Sequence, residues 1–143
     1  MTTRTALIAQ AKTWLDVPVR PSGAQRVGVN CLGLFVGILH EAGGFEEIVD
    51  EAEKHVGFRA PISAGDFLRE LKVSRYLRLV YPSQLRLGNF VLLFTRDGPQ
   101  HLAFVTEPGV ILHASARKKK VIEHLLPIGW KIAAEFEIVG LVD

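Results

Sequence analysis

The spacing of apolar residues changes once along this 143-residue chain, and that change limits the folds open to it. Up to Gly44 the apolar positions recur at three and four; from Leu87 onward they gather in short β-rich runs separated by turn residues. Behind a cap at Thr3 or Thr5, the residues Leu7, Ile8, Ala11, Trp14 and Leu15 fall on one side of a first helix, which Pro18 is expected to end. Pro18 to Val29 has a loop composition. Leu34, Phe35, Ile38, Leu39 and Ala42 then mark a second helix, with Asn30 as N-cap and Gly43-Gly44 as its close. Residues 45–57 read as a helix whose acidic side, Glu46, Glu47, Asp50, Glu51 and Glu53, faces water, and Ser63 and Asp66 start a short helix with Phe67, Leu68 and Leu71 inward. Strands are predicted at 89–94, 101–105, 110–113 and 121–125, with a closing strand at 136–141. Reversals at Asp97-Gly98-Pro99, Glu107-Pro108-Gly109 and 116–120 would join the first four as an antiparallel meander. Helices before strands, without βαβ alternation, predict an α+β fold: an antiparallel sheet of about five strands packed against N-terminal helices, the second of them central.

The length suits a single domain over 1–143. A formal net charge of +2 does not suggest a nucleic-acid partner, and one cysteine excludes an internal disulfide framework. No run of eighteen or so apolar residues encodes a membrane span. The apolar stretch Ala6 to Ala9 is too short for a signal peptide, so synthesis in the cytoplasm is expected, with any export left to another agent.

That single cysteine, Cys31, falls on the first turn of the second helix. A thiol there meets unpaired amides and the positive end of the helix dipole, which would lower its pKa and favour the nucleophilic thiolate. The competing reading is a free cysteine that fills space in the core. His101 opens the second predicted strand and His113 ends the third; in a hairpin centred on Glu107 the two stand opposite each other on one face, with Cβ atoms about 5 Å apart. Either alone can be a polar strand end, but with Cys31 they make the set of nucleophile, base and orienting group that acyl transfer needs. His40, His55 and His124 show no zinc-ligand spacing, and neither a metal nor a cofactor is expected. Lys118-Lys119-Lys120 reads as a solvated hairpin tip and Trp130 as a core plug.

Three motifs resemble the NlpC-type cell-wall cysteine peptidases. Val29-Asn30-Cys31-Leu32-Gly33-Leu34 is similar to the nucleophile segment of that family. Leu87-Gly88-Asn89 with Phe90 to Phe94, followed by His101-Leu102-Ala103-Phe104-Val105, resembles its first and histidine strands. Ile111-Leu112-His113-Ala114 resembles its third-residue strand, at the usual distance from His101. The resemblance implies a papain-like fold in which Cys31 is nucleophile, His101 base and His113 orienter. It also implies an oxyanion and substrate-binding corner at the Cys31 amide and Asn30, and hydrolysis of peptidoglycan stem peptides.

The similarity runs from Trp14 to the last strand and is closest to the phage-tail and gene-transfer branch, through the Trp14 region, Val121-Ile122-Glu123-His124 and Ala134 to Phe136. That branch implies phage-tail proteins as partners and delivery to the cell wall or periplasm within a tail particle. Two positions depart from the family. Asn30 replaces an aspartate, and Val19 stands where many members carry a tyrosine hydroxyl facing the cysteine. The alternatives to a hydrolase are a catalytically inactive tail-assembly or wall-binding module on the same fold and a papain-like acyltransferase.

Overall fold

A computed structural model describes residues 2–20, 24–25, 28–56, 69, 71–95 and 98–143. Helix α1 spans Arg4–Lys12, where the Thr3 hydroxyl accepts from the Ala6 amide and so satisfies one of the unpaired first-turn donors. It stops before Pro18, contrary to the sequence expectation. The Thr13 amide instead donates to the Gln10 carbonyl at 3.2 Å, so Trp14 is buried while Leu15 turns to solvent.

Helix α2 spans Cys31–Ala42 as expected, with Asn30 accepting from the Gly33 amide at 2.6 Å. Gly43, at φ +77°, closes it in a conformation that costs glycine little, its amide reaching the Leu39 carbonyl at 3.1 Å. Leu34, Phe35, Ile38 and Leu39 are almost wholly buried, each contributing about 1.5–3 kcal/mol of apolar burial. Helix α3, Glu46–Val56, turns Glu46, Glu47, Asp50 and Glu51 outward and buries Ile48 and Val49. The start of the helix expected at Ser63 and Asp66, with Phe67 and Leu68, and the reversal at Asp97, lie outside the described residues.

A two-stranded ribbon, β1 (Ala24–Gln25) with β2 (Gly28–Val29), precedes α2. The main sheet comprises β3 (Leu77–Val80), β4 (Phe90–Thr95), β5 (Gly98–Glu107), β6 (Val110–Ser115), β7 (Lys120–Leu125) and β8 (Ile132–Ile138). Its order is β3-β8-β4-β5-β6-β7, with all pairings antiparallel. The sheet thus has six strands where about five were expected. Strands β4 to β7 form the predicted meander, and Pro108-Gly109 turns β5 into β6, with Gly109 at φ +71°.

The closing strand begins earlier than expected and lies on the far side of β4, so residues 126–131 cross back over the sheet. Glu135 hid this strand, because a carboxylate amid apolar residues breaks the period. It is fully buried and accepts from the Ser83 hydroxyl (2.6 Å), the amides of Gln84 (2.9 Å), Leu85 (2.6 Å) and Arg86 (3.2 Å), and the Asn89 side chain (2.6 Å). Burial pushes its carboxyl up, but the bonds from Ser83, Asn89, Leu85 and Arg86 together outweigh that and hold it below the usual glutamate range.

Strand alternation splits the core in two. Leu92, Leu102, Phe104, Leu112 and Ala114 face the helices with Leu7, Phe35 and Ile38. Val91, Leu93, Ala103, Val105 and Ile111 form a second cluster on the opposite face, covered by Leu85, Leu126 and Ile132, so the 126–131 crossover runs over that face.

Candidate active site

His101 keeps step with Ala103 and Val105, and His113 with Ile111, so both histidines belong to the sheet face bearing the second cluster. Their rings meet edge-to-face with centroids 4.8 Å apart, and His101 Nε2 lies 2.7 Å from His113 Nδ1. The expected direct opposition is corrected. Glu107 pairs with Val110 but Val105 with Ile111 and Phe104 with Leu112, a bulge at Thr106 that brings Ala103 into step with His113. His101 is therefore the diagonal neighbour, which two imidazoles can still bridge.

The stripe continues one strand further. In β7, Ile122 pairs with His113 and His124 with Ile111, so His124 is diagonal to His113 on the same face. His113 Nε2 lies 2.8 Å from His124 Nε2, and His124 Nδ1 lies 2.7 Å from the Leu125 carbonyl oxygen. Trp130, carried over this face by the crossover, sets its ring 5.6 Å from both His113 and His124. A cleft of about 520 Å³ opens here, lined by the three histidines, the apolar walls Leu93, Phe94, Ile122 and Trp130, and at the β6–β7 tip Arg117 and Lys118.

Cys31 sits at the N-terminus of α2 with its sulfur against backbone amides, that of Leu102, the residue after His101, and those of Leu32 and Cys31 itself. The residue keeps some surface, yet burial of the sulfur dominates and pushes the thiol up; the three amides pull it down only in part. The expectation of a lowered thiol pKa is thus reversed, because the helix-start effect is real but smaller than desolvation. Burial pushes His101 down as well. His113, only 3% exposed, is pushed down to about 3 by burial and by its two histidine neighbours, whose charges would repel its own. At neutral pH, thiol and both imidazoles are held uncharged.

No family model matches the chain, and no curated protein matches it. Solved structures do. The P60 domain of an antigen from M. avium subspecies paratuberculosis superposes with a TM-score of 0.56 at 17% identity, covering 95% of this chain and 93% of that one. An NlpC/P60 family protein from Bacillus cereus gives 0.64 at 18% identity, over 96% of this chain and 40% of its own length. The peptidoglycan hydrolase RipB from Mycobacterium tuberculosis gives 0.54 at 19% identity, over 95% and 64%. The chain has the NlpC/P60 fold.

On this NlpC/P60 scaffold the structure brings His101 and His113 into hydrogen-bond contact and seats Cys31 against the strand that carries His101. Asn30 is occupied as the cap of α2. Val19 packs at the margin of the helix-side core, its amide bonded to the Lys119 carbonyl at 3.1 Å. His40 is exposed in the last turn of α2, and the side chain of His55 lies outside the described residues. Two site residues differ from the sequence expectation. His124 lacks metal-ligand spacing, yet its alternation with Ile122 puts it on the face of β7 that meets His113. Trp130 is no core plug: it is 39% exposed and walls the histidine cleft. Among the described residues no group of three or more acidic, histidine or cysteine side chains is arranged to hold a metal ion, and no helix is long and apolar enough to cross a membrane.

Proposed function

We propose that this chain is a cysteine peptidase or amidase that hydrolyses peptidoglycan stem peptides. One observation carries the reading: the 2.7 Å contact from His101 Nε2 to His113 Nδ1, on the strand whose Leu102 amide meets the Cys31 sulfur. Peptidoglycan hydrolases among the proteins that share the fold give the substrate class its support. In the reaction, Cys31 Sγ forms a bond to the amide carbonyl carbon while its proton passes to His101. His113 holds His101 in place, and the Cys31 amide at the helix start donates to the developing oxyanion. Collapse breaks the C–N bond, with the proton delivered from His101 to the departing amine. Water, deprotonated by the same imidazole, then cleaves the thioester. Burial pushes the thiol up and His101 down, which favours proton transfer to His101 during attack over a standing ion pair.

The similarity of Val121 to His124 and of Ala134 to Phe136 to the phage-tail branch supports a tail-borne enzyme that reaches the wall with its particle. Mass spectrometry of muropeptides tests the hydrolase reading. Wild type should release cleaved stem peptides, and Cys31→Ala should abolish release with little change in Tm. A wild type without products on several wall chemistries would overturn the reading in favour of an inactive wall-binding or assembly module. Products joined to an added amine would mark an acyltransferase.

A further inference from the structure

Two ring-to-ring contacts across β5, β6 and β7 and one from His124 to the Leu125 carbonyl form a chain with a fixed end. A backbone carbonyl can only accept, so the 2.7 Å contact at Leu125 requires His124 Nδ1 to carry the hydrogen. In an uncharged imidazole the other nitrogen is then a bare acceptor. His124 Nε2 faces His113 Nε2 at 2.8 Å, so His113 must be the donor there, which leaves His113 Nδ1 bare. His113 Nδ1 faces His101 Nε2 at 2.7 Å, so that hydrogen belongs to His101 Nε2. One nitrogen remains without a hydrogen, His101 Nδ1, which is the lone pair a general base needs.

We propose that His124 is a positioning residue, anchored on the Leu125 carbonyl, that sets the tautomers of His113 and His101 so that His101 Nδ1 is free to take the thiol proton. This rests on His101 being the base of the hydrolase proposed above. His113 alone cannot fix the direction of the chain: without a partner on its Nε2 it can as readily place its hydrogen on Nδ1, which forces His101 into the opposite tautomer and occupies Nδ1. Trp130 supports the arrangement by packing edge-on against both His113 and His124.

The test is long-range ¹H–¹⁵N correlation NMR of the full chain with ¹⁵N-labelled histidine, at a pH where the rings are neutral. It is run on wild type, His124→Phe and His124→Gln, with stem-peptide kinetics on the same samples. Wild type should show His101 and His113 protonated on Nε2 and His124 on Nδ1. His124→Phe keeps a ring but no nitrogen; His101 and His113 should fall into mixed tautomers, and kcat should drop at least about tenfold with KM within twofold. His124→Gln can accept from His113 and donate to the carbonyl, so it should restore both the tautomers and most of kcat. A wild-type His101 protonated on Nδ1, or tautomers unchanged in His124→Phe, would overturn the proposal. If wild type shows no turnover but the tautomers respond as stated, the relay stands and the hydrolase reading is what fails.

Discussion

Protonating His113 should cost the fold stability, and that cost can be worked out. The unfolded chain takes up this proton near pH 6.5, while the folded ring, enclosed between His101, His124 and Trp130, does so only at about 3. Between those values unfolding binds a proton, so stability is complete above the unfolded value and is lost as pH falls through the window. At about 1.36 kcal/mol per pH unit the ceiling is about 5 kcal/mol, and from pH 7.5 down to 4.5 the loss is about 2.7 kcal/mol. The assay is urea unfolding of wild type and His113→Asn at both pH values. Asparagine removes the titration while keeping an oxygen that can accept from His101. Wild type should lose about 2–3 kcal/mol more than the variant over that interval. Equal losses in the two proteins would show that His113 titrates in the fold as it does in water, and the argument from burial and neighbouring histidines would fail.

Two further outcomes follow from the same geometry. Because burial pushes the Cys31 thiol up, iodoacetamide alkylation followed across pH should accelerate only on the alkaline side of an ordinary cysteine, with His101→Ala slowing it near neutrality; a fast reaction persisting into mild acid would refute this. Glu135→Ala strands the amides of Gln84, Leu85 and Arg86 and the side chains of Ser83 and Asn89, so chemical denaturation should show a loss of roughly 3–5 kcal/mol, whereas a change under 1 kcal/mol would show that water reaches those donors freely.

The sequence by itself determined what depends on local spacing. The period of three and four from Leu34 to Ala42, with Asn30 ahead and Gly43 behind, settles α2 and puts Cys31 on its first turn, because capping and amphipathicity act within a few residues. Alternation puts each histidine on one face of its own strand, but behind the two-residue Pro108-Gly109 turn only a bulge lets His101 and His113 share a face. Tertiary structure alone decided the rest. Whether the thiol pKa falls or rises depends on how much protein encloses the sulfur, and the local helix-start effect that the sequence shows is overruled by burial that it does not. The bulge at Thr106 sets the diagonal step between the histidines, and cross-strand register is fixed by packing on both faces. The turn at 116–120 already sets β7 beside β6, but the register that lands His124 diagonal to His113, and the return of β8 beyond β4 that draws Trp130 over both, come only with packing. Register and crossover join residues of separate strands, and no spacing within one strand encodes either.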